Sequence, residues 1–368
     1  MVKKAADSLI GKHVKPCDEF LVNKIKTAIV GASGYTGMEL LRILLSHPAV
    51  ELTAVTSRTE EGKRIDEVFP RFTKSTSAEL KFTLPDPDLI AKSGAKVAFL
   101  ALPHGVAADI ATALLKRNIK VIDLSADFRL RSAEIYEMFY NHPHPAPELL
   151  SEAVYGLPEI HAPAIRTARL IASPGCYPTS IILPLVPLLK AKLIDPKTIV
   201  ANSMSGVSGA GRKADVPLLF CECNESARAY GVPKHRHLSE IEQELSLAAG
   251  ETVTISFIAH LIPVNSGILT TTTVKLLDGV TADQINSALE SAYADATFVR
   301  LLGQGKPADT KMVTRTNFID IGFAIDARTN RLILMSAEDN LVKGAGGQAV
   351  QSFNLIHGLE PTAGLNSW

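Results

Sequence analysis

The chain has 368 residues, of which 46% are apolar, and its 38 basic and 38 acidic side chains balance to a net charge of zero. This length predicts two domains, and the neutral charge gives no electrostatic signature for nucleic acid or an anionic membrane surface. No window approaches the roughly 18 uninterrupted apolar residues of a membrane span, and no apolar region follows the basic N-terminus. We therefore expect a soluble, cytoplasmic protein with reduced cysteines, a short N-terminal extension over residues 1–23 and a small-molecule partner.

The first half of the chain alternates strand and helix patterns. The apolar runs "KTAIVG" and "VELTAVTS" flank the helical "TGMELLRILLSHP", and "KVAFLALP" and "KVIDLSAD" flank the helical "VAADIATALLKRN". Near-continuous apolar strands between helices are typical of a parallel sheet that is covered on both faces. Residues 24–175 are therefore predicted to form a doubly wound α/β domain.

A glycine-rich loop lies between the first strand and the first helix, in "AIVGASGYTGMEL". Glycines allow a tight turn and a close approach to a pyrophosphate, whose charge then lies on free N–H groups at the helix N-terminus. A glycine triplet alone also suits any tight turn, but its place after the first strand of a βαβ unit favours a dinucleotide. The predicted contacts are Gly31, Ser33, Gly34, Tyr35, Thr36 and Gly37.

The end of the second strand indicates which nucleotide is bound. An acidic residue about 20 positions after the glycines would hold a ribose 2′-hydroxyl and favour NAD. This strand instead ends in Thr56-Ser57-Arg58. A hydroxyl and a guanidinium suit a 2′-phosphate, so Ser57 and Arg58 favour NADP. The alternative is that Arg58 is an ordinary solvated surface charge.

The second half has a different pattern. The segments "ETVTISFIAHLIPV", "GILTTTTVKL" and "NFIDIGFAIDARTNRLILMSAE" are long and β-branched, as in an antiparallel sheet with one wetter face. A helix that begins with a Thr281-x-x-Gln284 capping box interrupts them. The second half is therefore predicted to be α+β, and the helical "NLVKGAGGQAVQSFNLIHG" is expected to return to the first domain.

Cys176 lies in "SPGCYP", after the predicted strand "ARLIAS" and at the start of a predicted helix that Pro184 and Pro187 make less regular. A helix N-terminus lowers the pKa of a thiol and so favours a nucleophilic thiolate. The alternative is that Cys176 is a small buried hydrophobic residue.

A base for this thiol is predicted in "GVPKHRHLSEIEQEL". A capping box from Ser239 to Glu242 would place His235 and His237 in the loop just before a helix, with Glu240 in its first turn and able to orient an imidazole. A metal cluster with Cys221 and Cys223 is disfavoured, because the Cys-x-Cys and His-x-His spacings fit no ordinary structural zinc pattern.

A second loop rich in glycine and hydroxyl groups, "NSMSGVSGAGRKAD", contains Ser205 and Ser208 and ends at Arg212. Its N–H groups, hydroxyls and guanidinium suit a phosphate or a carboxylate. The alternative is a flexible connection between strands.

Eight motifs occur in the order expected for one family: "VGASGYTGMEL", "FLALPHG", "VIDLSADFRL", "VYGLPE", "SPGCYPT", "SGVSGAGR", "HRHLSEI" and "DNLVKGAGGQAVQSFN". From about Lys24 to its C-terminus the chain resembles the N-acetyl-gamma-glutamyl-phosphate reductase family. The resemblance implies an NADP-binding Rossmann domain over 24–175, completed by 341–368. It also implies a catalytic and oligomerisation domain over 176–340, similar to the C-terminal domain of glyceraldehyde-3-phosphate dehydrogenase, in a homodimer or homotetramer.

The same resemblance implies that NADPH reduces an acyl phosphate to an aldehyde through a cysteine thioester. Cys176 is then the nucleophile, His235 the acid/base with Glu240 supporting it, and Asn340 a contact on the nicotinamide side. The residues expected to contact the substrate are Arg129, Ser205, Arg212 and His237.

Three positions depart from the family pattern. Ser173 replaces a common asparagine, Ser239 a usual proline, and Ser266 an arginine that many relatives carry. Two further acyl phosphates, N-acetyl-aminoadipyl phosphate and aspartyl phosphate, therefore stay open as substrates, since one methylene changes pocket binding by only about 1–3 kcal/mol. A nucleotide sensor without chemistry is the alternative from another class, and retention of Cys176 with the histidine loop argues against it.

Overall fold

The computed structural model describes residues 24–365, so the expected extension over 1–23 lies outside the described residues. The first sheet has seven strands in the order β3-β2-β1-β4-β5-β7-β6, and every pairing in it is parallel. These strands are β1 (Ile25–Val30), β2 (Val50–Thr56), β3 (Phe82–Thr83), β4 (Val97–Leu100), β5 (Lys120–Asp123), β6 (Val154–Tyr155) and β7 (Leu170–Ala172). The predicted parallel sheet is confirmed, although the short β3 and β6 were not expected.

The helices of the described chain are α1 (Tyr35–Leu44), α2 (Ile65–Val68), α3 (Pro87–Lys92), α4 (Ala107–Leu115), α5 (Ala133–Tyr140), α6 (Pro158–Ile165), α7 (Cys176–Lys190), α8 (Phe220–Cys223), α9 (Leu238–Ala249), α10 (Ala282–Tyr293) and α11 (Gly347–Ile356). Apolar side chains of α1, α6 and α11 pack on one face of the parallel sheet, and those of α3 and α4 pack on the other. The sheet is therefore doubly wound, and the last helix lies on the first domain. Within residues 24–365, no helix combines the length and apolarity that a membrane crossing requires.

The second sheet has the order β12-β13-β14-β11-β8-β10-β9. Its strands are β8 (Val200–Ser205), β9 (Arg228–Tyr230), β10 (Ser256–Leu261), β11 (Ile268–Lys275), β12 (Val299–Gln304), β13 (Ile319–Asp326) and β14 (Arg331–Glu338). The antiparallel sheet that we expected is in fact mixed, because β8 pairs with β10 and β12 with β13 in parallel. Strand alternation reveals which face is buried, whereas the direction of a neighbour depends on connections far along the chain.

Helix α7 carries the core of the second domain. It is buried along nearly its whole length and packs with α9, α10 and the second sheet. Pro184 and Pro187 lie inside it without ending it, since apolar burial on all sides outweighs the backbone hydrogen bonds that the prolines remove.

The two predicted capping boxes have different outcomes. The box from Thr281 to Gln284 at the start of α10 is confirmed, with both reciprocal hydrogen bonds present. The box from Ser239 to Glu242 is wrong, because α9 already begins at Leu238 with His237 as its N-cap. The Ser239 hydroxyl instead donates to the Arg236 carbonyl, and the Glu242 carboxylate accepts the N–H of Ile255.

Candidate active site

A cleft of about 490 Å³ is lined by the glycine-rich loop 31–37 and by Cys176. We call this loop the phosphate loop and this cleft the nucleotide cleft, after the ligand that the sequence predicts there. The cleft opens beside β1 and β4, where the strand order of the parallel sheet reverses, and such switch points are the usual ligand sites of doubly wound sheets. Its size lies within the range of small-molecule pockets. It is lined by residues from both domains, including all the predicted contacts Gly31, Ser33, Gly34, Tyr35, Thr36, Gly37, Ser57, Arg58 and Asn340.

Two positions of the phosphate loop accept only glycine for steric reasons. Gly31 has a φ of +86°, and a side chain there would clash with the Ala101 carbonyl. A Cβ at Gly37 would lie 2.6 Å from the Cα of Ala32. No side chain caps α1 at Gly34, so the first N–H groups of the helix face the cleft. Uncapped amides at a helix N-terminus form an anion site.

Ser57 and Arg58 at the end of β2 differ in their contacts, because Ser57 is buried and hydrogen-bonded whereas Arg58 is exposed. The buried Ser57 hydroxyl lies 2.8 Å from that of Ser33 and accepts the N–H groups of Thr59 and Glu60. It thus shapes the turn in which Arg58 lies. The Arg58 side chain is exposed and makes no hydrogen bond or ion pair within residues 24–365, which leaves its guanidinium available to a ligand.

Cys176 is the first residue of α7 and lines both this cleft and a second cavity. The helix N-terminus does stabilise its thiolate, through the N–H of Tyr177, but the expected low pKa is wrong. Burial, reinforced by the nearby Glu338, raises the pKa of the Cys176 thiol to about 12. The resting thiol therefore keeps its proton and needs a base.

His237 is the histidine that lies against the turn before Cys176. A Cβ at Gly175 would lie 2.5 Å from Nε2 of His237, so only glycine fits before Cys176. His237 lines both the cleft and the second cavity, and its Nδ1 has no partner within the described residues. Burial, with the charges of His235 and Arg129, holds the pKa of His237 well below its usual value.

His235 lies farther into the second domain. Its ring contacts those of Tyr177, Tyr230 and Phe257 edge to face, and its Nδ1 accepts the N–H of His237. It lines the second cavity but not the nucleotide cleft. Burial and the Arg236 charge lower the pKa of His235 to about 4. Both imidazoles are therefore neutral at pH 7, as a general base must be.

Glu240 does not support His235 as expected, since no hydrogen bond joins it to either histidine of the loop. Its Oε1 accepts a bond of 3.0 Å from Arg129, and its Oε2 accepts from the Tyr155 hydroxyl and the Gly175 N–H. Arg129 also donates to the carbonyls of Ser173 and Leu124. These buried groups hold the turn before Cys176 in place.

Arg129 is therefore less available to a substrate than we expected. It lines the cleft, but three of its N–H groups already have protein acceptors. Burial alone would lower the pKa of the Arg129 guanidinium, but the Glu240 carboxylate outweighs this and raises it.

The second cavity, of about 420 Å³, adjoins Cys176 on the side of the second domain. Ser205, which the family resemblance assigns to the substrate, lines this cavity. It also contains Arg228, Tyr230 and Arg236, which the sequence analysis did not single out. Arg236 lies between the two histidines of the loop predicted to be catalytic, and this position could have identified it as a site residue from the sequence. Arg228 carried no local signal, because only the pairing of β9 with β10 brings it to the cavity.

The second glycine-rich loop is held on one side by Asn340. The Asn340 amide accepts the N–H of Gly267 and donates to the Ser208 hydroxyl, which in turn lies 3.2 Å from that of Ser266. Ser266, the position that departs from the family pattern, therefore contacts this loop without a charge. Arg212 lines the nucleotide cleft and not the second cavity.

Comparisons with known proteins agree with this architecture. Residues 26–168 match the family model described as the semialdehyde dehydrogenase NAD-binding domain, and residues 176–340 match the semialdehyde dehydrogenase dimerisation domain. Among solved structures, aspartate semialdehyde dehydrogenase II from Vibrio cholerae has a TM-score of 0.68 at 18% identity, over 91% of this chain and 98% of its own. At this identity the likeness concerns the fold alone.

Curated relatives are more similar in sequence. The N-acetyl-gamma-glutamyl-phosphate reductase of Akkermansia muciniphila is 63% identical over 94% of this chain and 99% of its own length. The protein of the same name from Syntrophobacter fumaroxidans is 49% identical over 93% of this chain and 98% of its own length.

Proposed function

Because the chain belongs to the N-acetyl-gamma-glutamyl-phosphate reductase family, we propose that it reduces N-acetyl-gamma-glutamyl phosphate with NADPH, in arginine biosynthesis. The products are N-acetylglutamate 5-semialdehyde and phosphate. The observation that carries the proposal is the place of Cys176, which lies where the nucleotide cleft meets the second cavity. A nucleophile in that position reaches a substrate on one side and a nicotinamide on the other.

The first step is attack by Cys176 on the acyl phosphate. A neutral imidazole takes the thiol proton, the sulfur bonds to the acyl carbon, and phosphate leaves, so a thioester forms on Cys176. The position of His237 against Gly175 favours it over His235 as this base, whereas the family resemblance favours His235. The same imidazole, once protonated, is placed to return its proton when the aldehyde leaves the sulfur.

The residues of the cleft fit a dinucleotide phosphate. The uncapped N–H groups of α1 suit the pyrophosphate, and the unpaired Arg58 suits a 2′-phosphate, which supports NADP over NAD. When bound, the reduced cofactor supplies hydride to the thioester carbon. Asn340 also lines the cleft, and this proposal assigns it to the nicotinamide side on the basis of the family resemblance.

The second cavity supplies the substrate site. Arg228 and Arg236 place positive charge beside Cys176 and Ser205, and this proposal assigns them to the carboxylate or phosphate of the substrate. The dimerisation-domain match over residues 176–340 supports a homo-oligomer, and a homodimer or homotetramer in the cytoplasm belongs to the proposal.

The test is the reverse reaction: reduction of NADP with N-acetylglutamate 5-semialdehyde, followed at 340 nm with and without inorganic phosphate. We expect a rate that depends on phosphate and a higher kcat/KM than with aspartate semialdehyde or the one-carbon-longer N-acetyl-aminoadipate semialdehyde. The Cys176→Ser variant is the control for background reduction. A higher kcat/KM with either other semialdehyde would reject the substrate, and a rate independent of phosphate would reject the reaction.

A further inference from the structure

Arg212 belongs to the second domain but contacts the first. It follows the glycine-rich loop 206–211, and its Nη1 donates a hydrogen bond of 2.8 Å to the carbonyl of Ser33 in the phosphate loop. The backbone of Val207 and of Ser208 is bonded to the segment 264–265, and Asn340 holds the Ser208 side chain. Arg212 therefore projects from an anchored loop across the cleft.

The contact with Ser33 places Arg212 at the nucleotide end of the cleft. The Ser33 hydroxyl lies 2.8 Å from that of Ser57, the residue before Arg58. The pKa of the nearby Glu60 carboxyl is lowered by its hydrogen bond with Lys63 and also by the charge of Arg212. The guanidinium thus lies beside the end of β2, where a Rossmann domain distinguishes the ribose 2′ substituent. It does not line the second cavity, where a substrate carboxylate would lie.

Both arginines at this end have donors to spare. Within residues 24–365, Arg212 uses one N–H group on Ser33 and Arg58 uses none. Two acidic residues near them are already paired, since Glu60 bonds Lys63 and Asp215 bonds Lys213. Two unneutralised guanidinium groups facing one end of a cleft form a strong phosphate site, because each can donate two parallel N–H groups.

We infer that Arg212 and Arg58, one from each domain, together bind the ribose 2′-phosphate of NADP(H), and that Arg212 is a cofactor-specificity residue rather than a substrate contact. This inference rests on the proposed use of NADP. It gives the bound cofactor a contact on both domains, so that NADPH binding also positions the second glycine-rich loop against the phosphate loop.

The experiment is calorimetric titration with two probes, adenosine 2′,5′-bisphosphate and 5′-AMP, which differ only in the 2′-phosphate. In the wild type, the bisphosphate is expected to bind more tightly. Arg212→Gln is expected to weaken the bisphosphate by roughly tenfold to a hundredfold, as for lost charge-assisted hydrogen bonds, and 5′-AMP by less than about twofold. The double variant Arg58→Gln/Arg212→Gln is expected to bind both probes equally.

Lys213→Gln is the control for a general charge effect, since it removes one positive charge from the neighbouring exposed position and also releases Asp215, so it lowers the local positive charge at least as much as Arg212→Gln does. It is expected to change the bisphosphate affinity by less than about twofold, which separates a specific contact from a general charge effect. The KM for the acyl phosphate is expected to stay at the wild-type value in Arg212→Gln. Circular dichroism is used to check that each variant is folded.

The outcomes separate the two ideas. If the wild type prefers the bisphosphate but Arg212→Gln binds it as Lys213→Gln does, the inference is wrong and the use of NADP stands. A raised acyl phosphate KM with unchanged bisphosphate affinity would return Arg212 to the substrate. If the wild type itself binds both probes equally, the proposed NADP preference fails, and the inference fails with it.

Discussion

Replacing Glu240 by glutamine is expected to destabilise the protein far more than such a small change suggests. Glu240 is buried, and its two oxygens accept from three donors, the Arg129 guanidinium, the Tyr155 hydroxyl and the Gly175 N–H. Glutamine keeps one acceptor and turns its NH₂ group towards the remaining donors. It also leaves the buried Arg129 charge without its carboxylate.

The expected loss of unfolding free energy follows from the uncompensated charge of Arg129. Removing one partner of a buried ion pair costs about 3–5 kcal/mol of unfolding free energy. Glu242 lies two residues farther along α9 and is less buried, and it accepts a single backbone N–H from Ile255. Glu242→Gln keeps an acceptor for that bond and should cost less than about 1 kcal/mol. Urea unfolding followed by circular dichroism measures both variants.

Two further measurements make the reasoning refutable. The double variant Glu240→Gln/Arg129→Met removes the orphaned charge and is expected to recover part of the lost stability. In folded Glu240→Gln, kcat should fall while NADPH affinity stays, because the turn before Cys176 loses an anchor and a displacement of about 1 Å can cost about a hundredfold in rate. Equal unfolding free energies for Glu240→Gln and Glu242→Gln would refute the argument.

Four other outcomes test the site. Cys176→Ser should lower kcat by orders of magnitude with NADPH affinity nearly intact, because a hydroxyl is a much weaker nucleophile; substantial remaining turnover would remove Cys176 from that role. His237→Asn should lower kcat more than His235→Asn if His237 is the base, and the reverse order would favour the role implied by the family resemblance. Burial lowers the pKa of His235 to about 4 and holds that of His237 well below its usual value. The midpoint of any decline of kcat/KM on acidification should therefore lie well below 6.5, and a decline centred near 6.5 would contradict a buried histidine base. Arg228→Gln should raise the KM for the acyl phosphate and leave NADPH affinity unchanged, whereas an effect on NADPH alone would contradict its place in the second cavity.

Local patterns in the sequence predicted most of the secondary structure. The strands β1 and β2, the helix between them and the capping box at Thr281 all follow from periodicity and residue type, which act within a few neighbouring positions. The capping box predicted from Ser239 to Glu242 was wrong, because the helix begins one residue earlier, at Leu238. Local pattern alone does not distinguish between such neighbouring helix starts.

The sequence by itself determined the α/β and α+β organisation of the fold, the glycine-rich loop after β1 and, through its motifs, the family, and it predicted Cys176 as the nucleophile. Only the tertiary structure decided three features of the site: the high pKa of the Cys176 thiol, the pairing of Glu240 with Arg129, and the reach of Arg212 to Ser33. Each depends on burial or on a contact between residues more than 60 positions apart. No short stretch of residues encodes burial or a long-range contact, because only the topology of the folded chain brings such groups together.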